Sequence, residues 1–250
     1  MNRGGYILKF ELDFLLKSNT IQVEYRRAIM HFIKTCLGEA NNGKYYEDLY
    51  GEPKSRNFTF AVFFDNPVFK DEEIQLASNR VKVLFSIADK MESYIFYSSF
   101  LEKKHSKVML EHNNYMILEK VTKLAEPQVH NSSMLVKMNS PLLVRKHSKQ
   151  NNTDWYYDFT QEEFEEESMN NLRFQLTNAG FSEKLQEGLR IQPIKCRKVI
   201  VKHYGCKFAG NLGNFLLEGN PIVLNYLLKA GVLSRRSEGF GMAELLTEDV

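Results

Sequence analysis

Cysteine is scarce in this 250-residue chain: Cys36, Cys196 and Cys206 are scattered, odd in number and never form a CxxC pair. A disulfide framework and a cysteine-ligated zinc site are therefore excluded, and free thiols in a reducing compartment are expected. No run of about 18 apolar residues exists, so no membrane-spanning helix is expected. The start, MNRGGYILKFELDFLLK, has Glu11 and Asp13 inside its apolar part and lacks a small-residue cleavage site. It reads as a strand rather than a signal peptide, which points to a cytoplasmic protein. Charge of one sign is also in short supply, because 33 Lys and Arg stand against 31 Asp and Glu, a net of +2. A uniformly basic surface is excluded; any nucleic-acid surface has to be local, with acidic residues segregated elsewhere. No histidine pair has i,i+4 or HxH spacing and no carboxylate cluster stands out, so neither a metal nor another cofactor is expected.

What is present is ordinary globular composition, 43% apolar and 26% charged, long enough for one large or two small domains. Gly5–Asp13 alternates as a strand should. Residues 23–37 carry a helical period, with Tyr25, Ile29, Phe32, Ile33, Cys36 and Leu37 on one face. A polar loop is predicted from Gly38 to Arg56, then strands at Asn57–Phe64, Ile74–Ala77 and Val81–Ile87. Asp89 and Glu92 have capping-box spacing and open a helix to about Lys103, before a strand at Tyr115–Lys123. The order β-α-β-β-α-β is that of a ferredoxin-like domain.

The second half repeats that order. Met134–Arg145 is strand-like, and a polar insertion covers His147–Asp154. Thr160 and Glu163 have capping-box spacing with Phe159 and Phe164 as the staple, opening a helix to about Asn178. Leu189–His203 and Lys207–Leu217 form a long hairpin. Asn220 and Pro221 start a short helix that ends at Gly231, and Phe240–Leu246 is the last strand. The fold class expected is α+β: two tandem ferredoxin-like domains, residues 1–127 and 128–250, with a C-terminal glycine-rich loop.

The C-terminal stretch, KFAGNLGNFLLEGNP followed by a short apolar helix and GVLSRRSEGFGMAEL, resembles the signature of the CRISPR repeat-processing endoribonucleases, within the repeat-associated RNA-binding superfamily. Their hallmark is a glycine-rich loop between the last helix and last strand, with a basic pair and then GFGM. Gly231, Ser234, Arg235, Arg236, Ser237, Gly239, Phe240, Gly241 and Met242 carry it here. Ser140-Pro141 and Asn170-Asn171-Leu172 resemble the start of the family's second domain. Tyr25-Arg26 and Asn57–Phe60 resemble its first. Glycines of such a loop let backbone N–H groups approach phosphate oxygens, and the two arginines add charged forks.

The resemblance implies metal-independent cleavage: a base takes the 2′-OH proton, the 2′ oxygen attacks phosphorus, and a 2′,3′-cyclic phosphate and a 5′-OH result. This needs a base of near-neutral pKa, a donor to the leaving oxygen and a cation for the charge on phosphorus. His31 is the first candidate base, about 200° round the helix from Ile29, with Arg27 and Lys34 on its face. The two cations should keep it neutral and also hold phosphate. In the following loop the family often has a histidine in a Leu-His pair; here Tyr50 stands there, able to position the 2′-OH or donate to the leaving oxygen. Lys54 and Arg56 lie where the resemblance implies a cation for the phosphorane. His203 ends a strand and could face RNA or solvent; His105, His112, His130 and His147 lie in connectors.

Lys195 and Arg197 share a strand face, and with Lys202 they form a cationic hairpin able to lie along an RNA stem, extended by Arg145, Lys146 and Lys149. The run Glu162–Glu167 would be repelled and belongs on another side. The partner expected is CRISPR repeat RNA, with effector-complex subunits as further candidates and a monomer or homodimer as the assembly. Two other readings stand beside the nuclease. One is a non-catalytic RNA-binding subunit of an effector complex, which Tyr50 favours. The other is a ferredoxin-like protein-interaction module, because that fold alone does not define a function.

Overall fold

The computed structural model describes residues 9–52, 54–111 and 113–250. The chain divides into two compact units, Met1–Arg56 with Ala61–Glu126, and Asn57–Phe60 with Pro127–Val250. Residues 5–8, the start of the expected first strand, and His112 lie outside the described residues.

In the first unit β1 (Lys9–Leu16) buries every second residue, placing Phe10, Leu12, Phe14 and Leu16 in the core. Short β2 (Thr20–Gln22) leads to α1 (Tyr25–Glu39), whose inner face is Ile29, Met30, Phe32, Ile33, Cys36 and Leu37. The predicted loop after it is not all loop. A 3-10 turn at Ala40–Gly43 leads to α2 (Lys44–Tyr50), which Gly43 enters at φ 81° and which buries Leu49. Leu49 alone gives that segment no visible period, so sequence patterning missed the helix.

Next come β3 (Phe58–Phe64), β4 (Val68–Phe69), β5 (Glu73–Gln75) and β6 (Arg80–Ile87). α3 (Lys90–Glu102) starts as expected, with the Glu92 amide donating to the Asp89 carboxylate at 2.8 Å. β7 (Lys107–Met109) and β8 (Tyr115–Lys123) complete the unit. The main sheet runs β3-β6-β1-β8-β7, while β5 sits in a separate small sheet, β2-β5-β4. Aromatic rings fill the space between helices and sheet: Phe14 meets Phe32 edge-on at 4.9 Å, and Phe85 meets Phe96 at 4.8 Å.

The second unit begins with β9 (Ser133–Met138), then β10 (Val144–Ser148) and β11 (Thr153–Tyr157). The expected single strand Met134–Arg145 is thus two, and the polar insertion is the turn and flanks of a hairpin. α4 (Phe164–Asn178) follows, but not by the expected capping box. Glu163 is the N-cap residue without a side-chain cap bond, and Thr160 instead donates its hydroxyl and amide to the Asp158 carboxylate. The long hairpin is β12 (Arg190–His203) and β13 (Cys206–Glu218). α5 (Pro221–Ala230) is capped by Asn220, which accepts from the Ile222 amide at 2.9 Å, and β14 (Ala243–Thr247) closes the unit.

The sheet order here is β12-β13-β9-β14. Written by position within each β-α-β-β-α-β set, both sheets read second, third, first, fourth, with β7 added at the edge of the first, and β1 with β6 and β8, β13 with β12 and β9, and β14 with β9 all pair antiparallel. This is the ferredoxin-like arrangement twice over, in an α+β chain. Among the described residues no helix is long and apolar enough to cross a membrane.

Candidate functional site

α1 has an inner face of large apolar residues, so the residues between them are turned outward. Arg27, His31 and Lys34 are all exposed on it, at i−4 and i+3 about the histidine. Arg27 is held by Glu24 one turn earlier at 3.2 Å. His31 and Arg27 line a cleft of about 380 Å³, whose other walls include Tyr25 and Ala28 of the same helix, Ile21 and Gln22 of β2, and Met109 and Leu110.

Lys34 reaches from α1 to α2, where its ammonium lies 5.3 Å from the centre of the Tyr50 ring. Arg56 lies 4.0 Å from the same ring and donates Nε–H to the Leu49 carbonyl at 3.2 Å. Tyr46 stacks on Tyr50, nearly parallel, at 5.2 Å. Tyr50 therefore gathers two cations by its electron-rich faces, a contact that holds a cation without cancelling its charge. Lys54 is exposed and its charge acts on Glu92, whose carboxyl is pushed up by burial and by Asp89 while Lys54 opposes. The structure thus brings Lys34, Tyr50 and Arg56 together beside the helix that bears His31, and links Lys54 to the start of α3.

The C-terminal loop is built differently. Arg236, expected to fork onto phosphate, is buried at 6% exposure and donates to the Leu233 carbonyl at 3.0 Å. Its pKa is lowered by burial. Arg235, at φ 53°, is saturated: Nε donates to the Tyr156 hydroxyl at 2.6 Å, Nη1 to Glu238 at 2.8 Å and Nη2 to Asp154 at 3.1 Å. Asp154 also accepts from Arg145 at 2.7 Å and His147 at 2.8 Å. Burial pushes the Asp154 carboxyl up, but these donors outweigh it and bring the pKa down to about 2. His203, rather than facing RNA or solvent, is 2% exposed, and its Nε2 lies 2.8 Å from Glu238. Glu238 is also held below the usual carboxylate range, where burial is outweighed by His203 and Arg235.

The loop's glycines serve close packing. Gly231, Gly239 and Gly241 have φ of 83°, 86° and 69°. A Cβ on Gly241 would lie 2.1 Å from the Val232 carbonyl oxygen. The amides of Gly239 and Gly241 donate to the carbonyls of Arg236 and Pro141, so they face inward rather than toward a ligand. Ser234 donates its hydroxyl to Asn171 at 2.6 Å, and Ser237 is half-buried in the 3-10 turn Arg236–Glu238. The partners Asp154, Tyr156 and Glu238 were missed from sequence. They meet the arginines only through hairpin register and loop conformation, which no spacing rule displays.

On the long hairpin Lys195 and Arg197 are exposed and share a face. The register runs without a shift from Lys195 to His203, so Lys202 lies on the opposite face, directly across from Lys207. Lys198 is tied to Asp158 at 2.8 Å and Lys146 to Glu167 at 2.5 Å, so neither adds free charge to a patch. Among the described residues no group of three or more His, Cys, Asp or Glu is placed to hold a metal ion.

Residues 124–245 match the family described as CRISPR associated protein Cas6, C-terminal. Over this stretch, just under half of the chain, the protein is similar to the Cas6 C-terminal family. The signature glycines and arginines of its loop, 231–242, fall inside the match. No curated protein matches the chain by sequence. Among solved structures, a Cas6-related protein from Pyrococcus furiosus is similar at 16% identity and a TM-score of 0.82, over 97% of this chain and 100% of that one. A protein titled as a RAMP protein binding different RNA substrates is similar at 14% identity and 0.81, over 96% and 100%. A Cas6 product complex is similar at 13% identity and 0.69, over 96% and 100%. These likenesses extend the Cas6-type fold over both units.

Proposed function

We propose that this chain binds CRISPR repeat RNA and cuts it once by attack of the 2′-OH on the adjacent phosphodiester. His31 takes the 2′-OH proton, the 2′-O–P bond forms, and the P–O5′ bond breaks with a proton delivered to the 5′ oxygen. Tyr50 supplies that proton or positions the 2′-OH. Lys34 and Arg56 neutralise charge on the non-bridging oxygens, with Lys54 and Arg27, itself paired with Glu24, as the outlying cations. A single arrangement carries the reading: an exposed histidine lining a cleft, flanked on one helix by two cations, one of which shares the Tyr50 ring with Arg56. The similarity of residues 124–245 to the Cas6 C-terminal family supports repeat RNA as the substrate class. Lys195 and Arg197, exposed on the long hairpin, are the phosphate contacts of the second unit, with Lys202 and Lys207 on its other face. Subunits of an effector complex are further candidate partners.

The test is incubation with RNA carrying the CRISPR repeat of the source genome, in EDTA, beside His31→Ala. One cut leaving a 2′,3′-cyclic phosphate, abolished in the variant while binding persists, is the expected result. Full cutting by His31→Ala removes His31 from the role of base. Tight binding with no cutting by the wild type favours a non-catalytic RNA-binding subunit. That second reading draws on Tyr50, which stands where the family resemblance implies a histidine.

A further inference from the structure

The cleft beside His31 has features that general base catalysis does not require. Beside His31 and Arg27 its lining holds an apolar set, Ile21, Ala28, Met109 and Leu110 with Tyr25, and a polar set, Gln22, Glu24, Glu111 and Asn114. The amide of Gln22 stands in the lining. A volume of about 380 Å³ lies at the small end of ligand clefts, roughly 300–1,000 Å³, and suits one flat heterocycle with its sugar rather than a helical segment. Met109 is 58% exposed on the short strand β7, and a methionine at such a wall adapts to a planar ring. Apolar walls favour a π-face, while the amides of Gln22 and Asn114 offer donors and acceptors, and the carboxylates Glu24 and Glu111 acceptors, to a base edge.

We propose that this cleft is a nucleobase pocket, taking the unpaired base of a nucleotide that flanks the scissile phosphate. The inference rests on the RNA-cutting reading and deepens it. Seating the base between Ala28 and Met109 places its phosphate at Arg27 and the attacking 2′-OH at His31. Gln22 reads the base edge and makes the pocket a specificity determinant. Because the base must enter the slot singly, the nucleotide at the cut has to be unpaired there.

The experiment is a cycle on the full chain with synthetic repeat RNA, intact or carrying one abasic nucleotide on either side of the cut. Single-turnover cutting rate and binding affinity are both read. Two fillings of the cleft are compared, Ala28→Phe from one wall and Met109→Trp from the other, each checked for an unchanged melting temperature. One abasic substitution should slow cutting about tenfold, in line with the loss of one stacked base. Each filling should slow the intact RNA by a similar factor, and filling plus abasic substitution should be no slower than either alone. Effects that multiply, or abasic substrates cut at the full rate, overturn the pocket while leaving the nuclease reading in place. If wild-type protein binds without cutting, the nuclease reading fails. The same cycle on affinity then decides the pocket by the same non-additivity.

Discussion

Two units share one strand order, yet two clusters of cations, one in each, are held in opposite ways. In the first, Lys34 and Arg56 rest on the face of Tyr50. In the second, Arg235 is wrapped by Asp154, Glu238 and the Tyr156 hydroxyl, and Arg236 is buried against a carbonyl. A ring holds a cation through its quadrupole and leaves the positive charge to act on a third party. Carboxylates cancel the charge and fix the side chain. The comparison separates cations held on an aromatic ring, which the proposed function assigns to phosphate, from cations that build a loop, although both look alike in a sequence.

The largest effect expected from breaking this contrast is on the loop's backbone. Gly241→Ala places a Cβ 2.1 Å from the Val232 oxygen at a φ of 69°. It should cost about 3 kcal/mol of stability, read by chemical denaturation. Next is acid sensitivity. Asp154 has a folded pKa depressed to about 2. Its stabilisation is present above the unfolded value of about 4 and is lost as pH falls toward the folded one. Partial exposure limits it to about 1 kcal/mol. Asp154→Asn should flatten the fall in stability between about pH 4 and pH 2. An unchanged slope would mean that the carboxylate does not tie the loop arginine.

The smallest effect sharpens the comparison by reporting the first unit alone. Cys36 is 2% exposed, and burial pushes its thiol pKa well up, whereas Cys206 is exposed. A thiol reagent should label Cys206 at once and Cys36 only on opening of the first core. Gly241→Ala should leave Cys36 protected under native conditions; rapid labelling there would show that damage to the loop spreads.

Much of the fold was legible. Alternation in β1 and the apolar stripe of α1 follow directly from burial of one face, and the caps at Asp89 and Asn220 form as their spacing indicates. Thr160 shows the limit, because it donates to Asp158 instead of accepting from a helix amide, and the helix starts later, at Phe164. α2 escaped because a seven-residue helix burying one leucine has no period to detect. That His31, Arg27 and Lys34 share one exposed face was legible because helix geometry alone sets it. The fates of Arg235 and Arg236 were not, because burial of an arginine depends on partners, Asp154 and Glu238, that only the folded loop brings near.

The most direct test sets one cation from each unit side by side, reading RNA cutting and melting temperature for both. Lys34→Gln should slow cutting of the repeat RNA by about tenfold or more with melting unchanged. Arg235→Gln, which takes one donor from each of two carboxylates, should lower melting by about 5 °C with cutting at low temperature largely retained. If Lys34→Gln lowers melting and cuts normally while Arg235→Gln melts normally and fails to cut, the assignment of the two cation sets is reversed and the account is wrong.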